Sequence, residues 1–560
     1  MKLLDGGAGP ARIWSTARHL RADQLVAQLR HRLRGWPGAR ELTARSAPAY
    51  PGCRWTARND PLAPTPRPHD AGRLRAGSFA FLRHAAELGW PPRWDCPELP
   101  RLWQYNLHYF DWLWDLDYDA ARLVARDWIR RHPLAAGGVG WEPYPLSLRL
   151  GNWLAVFWLR HRARLERDPE LRDELWGSVY RQAEWLHESL ELHLLANHLL
   201  ENATALGLAG ACFAGPAARR WRDTARALLA REIAEQVLPD GMHFERSPMY
   251  HARATYLVLR LLAVSADAPG ARAALPRMLA AAAALRHPDG GIALLNDSAH
   301  GIAHDPAALL DAAARLGAEL APSGPAGPFA LPDAGYFGFG RRGDYVVADA
   351  GPLGPDYSPA HGHADLLSFE LSLDGRRVVV DAGVHDYEAS DLRRYCRSVR
   401  AHNTIEIEGQ EPCDLWGVFR VGRRPRPDAV VFRGTADGFR LAASHDGYRR
   451  VAGRPSLRRT LAWGRERVLT IDDTVRAERP VRSVFRLHFH PDWRVDERRG
   501  DGITLACGAE RIQVRFAGAD AAACEASVYC PEFGLALDNT CLALTRTGTD
   551  ARVRVSIGTD

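Results

Sequence analysis

A glycine- and proline-rich stretch, "APSGPAGPFALPDAG" at 321–335, divides the chain into two textures that cannot share one kind of core. Before it, over 76–320, apolar residues recur at the three- and four-residue spacing of amphipathic helices, as in "LRDELWGSVYRQAEWLHESLELHLLANHLLENATALGLAGACF" and "PMYHARATYLVLRLLAVSA". After it come short alternating runs, among them "YVVADA", "LSFELSL", "RRVVVDAG", "RVLTIDDTV" and "IQVRFAG", separated by turn dipeptides such as Asp374-Gly375 and Glu408-Gly409. Helices followed by strands predict a multidomain α + β chain, with a helical toroid or solenoid first and an antiparallel β-sandwich second, rather than alternating βαβ units. The expected divisions are 1–75 as a helical extension and linker, 76–325 as the helical domain and 326–560 as the β-domain. A cleft is expected where the two large domains meet.

Composition narrows the function classes. The formal charge is +6 over 560 residues, and Lys2 is the only lysine, so the cations are arginines suited to carboxylates and sulfates. No compact Lys/Arg block interleaved with aromatics occurs, so nucleic acid is not expected as a partner. The nine cysteines are scattered and free of any CxxC spacing, which predicts neither a disulfide framework nor a cysteine zinc site. No run of about 18 apolar residues exists to span a membrane. The N-terminus lacks the apolar core of a secretory signal, so a cytoplasmic location is expected, with the periplasm as the alternative. Within it, "RADQLVAQLRHRLRG" has helical spacing and a basic face, and reads as a helix docked on the body rather than one lying on a membrane.

Three constellations could carry chemistry. In "LLANHLLENATAL", Asn197, His198 and Glu201 share one helical face inside an otherwise apolar stretch, as a site or as a satisfied core network. In "DGMHFERSPMYH", Ser247 reads as an N-cap and Pro248 as the first helical residue. Tyr250 then falls in the first turn, where the helix dipole would lower its pKa. In "HGHADLLSFEL" and the segments after it, His361, His363, Asp381 and His402 could be a nitrogen/oxygen set for Zn²⁺ or ordinary polar residues. Strand parity weighs against the metal. A two-residue turn at Asp374-Gly375 pairs Asp381 with Ser368 and turns it away from His363, unless a longer loop or a bulge at Gly362 intervenes.

Together, "YNLHYFDWL", "WEPYPLSLRLGNW", "NHLLEN", "HFERSPMYH", "HGHADLLSFEL" and "YCRSVRAHNTIEIEGQEP" resemble, in that order, the heparinase II/III family of polysaccharide lyases over roughly residues 100 to 425. The resemblance implies an incomplete (α/α) toroid followed by a β-sandwich, and β-elimination of a uronic-acid glycan. It assigns Asn197 and His198 to neutralising the substrate carboxylate, Glu201 to orienting His198, and Tyr250 and His361 to proton transfer, with the base set by the C5 epimer. It also implies a zinc ion held by His363, Asp381 and His402. Arg246, Arg149, Asn152 and Trp153 are expected to line the cleft from the helical side, and Tyr395 and Trp416 from the sandwich side. His243, His251, His300 and His385 are read as structural. A bacterial capsule or exopolysaccharide is the expected substrate, and oligomeric state is not legible. Two other classes stay open: a non-catalytic or biosynthesis-associated glycan-binding protein, and a glycoside hydrolase using Glu201 and Glu245.

Overall fold

A computed structural model describes residues 9–34, 47–55, 66–134, 137–264, 267–319 and 324–559. Part of the expected linker (45–46 and 56–65) and the start of the glycine/proline stretch (320–323) lie outside the described residues. Residues 47–55, also read as linker, are packed instead: Cys53 and Trp55 are buried, and the Trp55 indole donates to the Leu208 carbonyl at 3.0 Å.

The first large half is helical because its apolar stripes need one another. Helices Arg101–Tyr109, Tyr118–Arg131, Pro143–Ala155, Pro169–Glu188, Ala196–Cys212, Gly215–Gln236, Pro248–Ala263, Ala271–Ala284 and Pro306–Arg315 follow in chain order. Several begin as the sequence dictates: Asp117, Asp168 and Ser247 each cap a helix by accepting a backbone N–H. The tryptophan density is explained by one apolar core that buries Trp103, Trp112, Trp128, Trp153, Trp158, Trp176 and Trp221 almost completely. One element was not foreseen. Ser78–Phe81 and His84–Glu87 form a hairpin whose turn residues, Leu82 and Arg83, both have positive φ (53° and 59°). Such a turn normally announces itself with Asn or Gly, and neither is present.

The strands of the second half pair antiparallel, with one isolated parallel bridge between Gly383 and Cys530. Gly327–Leu331, Tyr336–Arg341, Asp344–Asp349, Phe369–Leu373 and Arg376–Val379 form a five-stranded sheet in sequence order. A ten-stranded sheet follows, centred on the long strands Val468–His488 and Leu535–Gly558. The runs "RVLTIDDTV" and "SVFRLHFH" belong to one strand, and its register irregularity between Arg476 and Val481 spans Pro480, which has no N–H for the ladder. Phe337, Val346 and Leu371 of the small sheet share one apolar core with Leu441, Leu461 and Ile471 of the large one.

Two N-terminal helices, Pro10–Ala17 and Ala22–Arg34, bridge the halves. Arg12 pairs with Asp414 at 2.8 Å and the Trp416 indole donates to Thr16 Oγ1 at 3.1 Å on the β side, while Arg21 pairs with Glu235 at 2.9 Å on the helical side.

Candidate active site

Three chain segments approach one cavity of about 470 Å³ between the halves, and each carries a residue forced out of the ordinary backbone regions. Leu195 and Ala196 (φ 62° and 52°) precede Asn197 and His198, Arg246 (φ 60°) precedes the Tyr250 helix, and Asn296 (φ 57°) precedes Asp297. Non-glycine residues in the left-handed region persist only where their surroundings hold them, and they concentrate at functional sites.

Asn197, His198, Tyr250 and His361 all line this cavity. Tyr250 and His361 stack with ring centroids 3.9 Å apart. His361 Nδ1 lies 2.9 Å from Asp297 Oδ2, and the other oxygen of Asp297 is 2.8 Å from His363 Nε2. Arg393 grips both oxygens of the same carboxylate. Burial opposes the charge on Asp297, but Arg393 and the two imidazoles hold its carboxyl well below the usual range. Asp297 is therefore only an acceptor. In the neutral rings His361 carries its proton on Nδ1 and His363 on Nε2, leaving lone pairs on His361 Nε2 and His363 Nδ1.

Tyr250 sits where its motif predicts, three residues after Ser247, whose hydroxyl accepts from the Tyr250 N–H at 3.2 Å. Its ionisation goes the other way. Desolvation, aided by Tyr387 and Tyr144, raises the phenol well above its ordinary pKa and outweighs the helix end. Among the described residues the Tyr250 hydroxyl hydrogen-bonds only the Tyr387 hydroxyl, at 3.2 Å.

Glu201 does not orient His198, as the resemblance implied; it pairs with Arg253 at 3.0 Å. Glu191 takes the role instead, with Oε1 3.0 Å from His198 Nδ1 and Oε2 accepting from Asn202 at 3.0 Å. Desolvation disfavours the imidazolium, yet the Glu191 carboxylate prevails and raises the His198 pKa. Tyr144 packs on the ring at 4.5 Å. Glu245, whose pKa is raised by burial, accepts from the Asn197 N–H at 3.3 Å and lies 4.0 Å from His361 Nε2.

None of the six expected lining residues reaches the cavity. Arg149 is buried over the Trp128 ring at 4.1 Å and donates to Gln182; Asn152 bonds Asp111 and the Tyr109 carbonyl; Trp153 lies in the apolar core. Arg246 donates to the carbonyls of Phe244, Asp333 and Ala334, joining the halves. Tyr395 bonds Ser527, and Trp416 bonds Thr16. The wall is made instead by Tyr105, Tyr109, Asp111 and Tyr144, from the motifs "YNLHYFDWL" and "WEPYPLSLRLGNW", and by Arg253, Tyr387, Phe419 and Arg424. His243 and His251 are engaged in core hydrogen bonds, with Gln236 and the Met278 carbonyl.

His363 and His402 are fully buried behind this wall with ring centroids 5.5 Å apart, and His402 Nδ1 lies 2.8 Å from Asp381 Oδ2. His363 Nδ1 and His402 Nε2 have no hydrogen-bond partner. Two orphaned imidazole nitrogens beside a carboxylate are donor chemistry that suits Zn²⁺. Among the described residues, however, no three His, Cys, Asp or Glu side chains converge as a ready ligand set. The structure shows neither a longer loop nor a bulge at Gly362. Asp374 and Gly375 make a two-residue turn with positive φ at both, and the register slips between Leu371 and Ser372 opposite Val379 and Arg377; Asp381 still accepts from Ser368 Oγ at 3.4 Å and bonds His402. His361 and His363 lie in the loop before Phe369–Leu373, not on the strand. Gly362 between them is required for space, since a Cβ there would meet Leu353 Cδ2 at 2.1 Å and its carbonyl oxygen at 2.4 Å.

Residues 118–303 match the family description "Heparinase II/III N-terminus", and residues 323–553 match "Heparinase II/III-like, C-terminal". The chain is 26% identical over 377 residues to a heparin-sulfate lyase of Pedobacter heparinus, covering 59% of this chain and 55% of that one. It thus spans about half the length of that relative. It is 27% identical over 493 residues to FtsZ-localized protein C of Caulobacter vibrioides, covering 80% of each. Among solved structures, Heparinase III superposes with TM-score 0.71 at 15% identity, covering 99% of this chain and 94% of that one. A heparan sulfate lyase from Pedobacter heparinus superposes with TM-score 0.60 at 19% identity, covering 93% and 87%. At these identities the likeness to solved structures concerns the fold.

Proposed function

Since the chain belongs to the heparinase II/III family, we propose that it is a polysaccharide lyase that cleaves a uronic-acid-containing chain by β-elimination in the cavity faced by His361 and Tyr250. The observation that carries this reading is the convergence of Asn197, His198, Tyr250 and His361 on that one cavity. Their motifs are separated by scores of residues, and no structural need requires an Asn-His pair, a tyrosine and a histidine to share one wall.

The chemistry needs three things. The C5 proton is weakly acidic beside a carboxylate, so hydrogen-bond donors must take up the charge that develops on that carboxylate. Asn197 and the imidazolium of His198, charged with the help of Glu191, supply them. A base must remove the C5 proton, and His361 Nε2 offers a lone pair because Asp297 holds Nδ1–H. An acid must protonate O4 as the C4–O4 bond breaks and the C4=C5 double bond forms. Tyr250, whose hydroxyl desolvation keeps protonated, delivers that proton and is restored from His361 or water. The faces of Tyr105, Tyr144, Tyr387 and Phe419 suit stacking on sugar rings. We read 76–325 as the incomplete (α/α) toroid of this arrangement and 326–560 as the sandwich behind it.

Zn²⁺ is part of the proposal, with His363, Asp381 and His402 as its holders. When bound it would supply a cross-link bracing the wall from which His361 projects. His361 itself is left to the cavity by its bond to Asp297.

The test is ultraviolet absorbance of the unsaturated uronate end on a panel of uronic-acid polymers, with new reducing ends measured in parallel. Absorbance rising with reducing ends supports elimination; reducing ends alone would identify a hydrolase using carboxylates such as Glu201 and Glu245. A second reading is favoured by one observation, the 80% mutual coverage with FtsZ-localized protein C. In that reading the scaffold binds glycan without cleaving it, and the panel would give binding with neither product.

A further inference from the structure

The second N-terminal helix, Ala22–Arg34, is mounted with its polar side inward. Among its described side chains Gln24 and Gln28 are the buried ones, and Gln24 donates to the His193 carbonyl at 3.4 Å. Leu25, Val26 and Leu29 face solvent, 43%, 49% and 58% exposed. At 3.6 residues per turn these three fall within an arc of about 100°. Water-soluble helices bury such an arc and expose their glutamines, so the arrangement is inverted. The preceding helix adds Trp14, 70% exposed and the most exposed large apolar side chain among the described residues. Among the described residues, four of the ten exposed large apolar side chains therefore fall between positions 14 and 29. Clusters of this kind mark a surface that something covers.

Charge indicates what covers it. Between 10 and 34 the sequence has six arginines, at 12, 18, 21, 30, 32 and 34, against a single carboxylate, Asp23. Arg18, the C-cap of the first helix, and Arg30, on the second, are exposed. The helices are pinned at both flanks, through Arg12 to Asp414 and through Arg21 to Glu235, so they are held fixed against the body. Exposed aliphatic side chains and a tryptophan on two consecutive arginine-rich helices match an anionic lipid surface: the apolar groups enter the acyl boundary and the guanidinium groups meet the headgroups. A second copy of the chain would bring the same positive charge to the contact and be repelled. No helix among the described residues is long and apolar enough to cross a membrane, so the attachment would be interfacial.

We propose that helices Pro10–Ala17 and Ala22–Arg34 form a docking surface for anionic membranes, with Trp14, Leu25, Val26 and Leu29 as the inserted residues. The test is flotation of the full-length protein with vesicles of equimolar phosphatidylglycerol and phosphatidylcholine, compared with phosphatidylcholine alone. The expected result is co-flotation with the anionic vesicles only. The triple substitution Leu25→Gln, Val26→Gln and Leu29→Gln should lower the bound fraction on the order of 10-fold or more, and Arg18→Glu with Arg30→Glu should lower it as well. These residues lie outside the cavity, so the triple variant should retain native melting and whatever activity the unaltered protein shows. Failure to float with anionic vesicles overturns the proposal, as does flotation unchanged by the triple substitution. A dimer in light scattering that the triple substitution dissolves would assign the surface to a second copy and overturn it too.

Discussion

Asp297 accepts from His361 at 2.9 Å, and the same carboxylate is the one that holds His363 and Arg393. It fixes the His361 tautomer and does not itself line the cavity, which makes it a positioning residue. Asp297→Asn can donate where the imidazole also must, so the ring is free to take the wrong tautomer. A fall in kcat on the order of 10³-fold with KM little changed is expected from single-turnover and steady-state rates, by analogy with other aspartate-held histidines. Equal changes in kcat and KM would indicate general disruption instead.

Tyr250→Phe removes a hydroxyl whose one hydrogen bond among the described residues is to Tyr387. The fold should be indifferent, with the melting temperature essentially unchanged. Elimination should fall by about 10²- to 10⁴-fold, the usual contribution of a general acid. Retained activity would exclude Tyr250 as the proton donor.

Glu191→Gln withdraws the carboxylate that keeps His198 charged. The sign follows from the raised pKa: the stabilisation is complete below the unfolded value of 6.5 and is lost as pH rises through the higher folded value. The variant should bind uronate oligosaccharides about 10-fold more weakly near neutrality, with its loss of affinity displaced to lower pH, as read by calorimetry across a pH series.

Asp111 is buried in the cavity wall beside Asn152, and burial raises its pKa from 3.8 to about 6. A raised carboxyl favours the protonated protein, so this contribution is full below 3.8 and declines as pH rises through about 6. Asp111→Asn should remove that decline and stabilise the protein above pH 6 by up to about 3 kcal/mol, measured by denaturant unfolding on both sides of the transition.

His363→Ala and His402→Ala should each lower bound zinc in purified protein, measured by atomic emission, while His361→Ala should retain it and lose activity. Zinc lost equally in all three would join His361 to the metal and undo the division proposed for the histidine pair.

The local parts of this architecture were legible. The change in texture at 321–335 separated helices from strands because side-chain period is a property of the local backbone. Ser247-Pro248 placed Tyr250 in the first turn because capping involves only neighbours. The Leu82-Arg83 turn was missed because its residues carry no turn chemistry, and Arg149, Asn152 and Trp153 were misplaced because helical spacing cannot tell a cavity-facing stripe from a core-facing one. What only the tertiary structure decided is which charges meet. Glu201 stands three residues from His198 yet turns to Arg253, and Glu191, seven residues away, takes the imidazole. Asp297 lies in what reads as a plain turn, "LLNDS", and becomes the hub of the histidine pair because Arg393, 96 residues later, is buried against it. A buried carboxylate must find its cation wherever packing brings one, so the partner's identity is set by how the halves close and not by position along the chain.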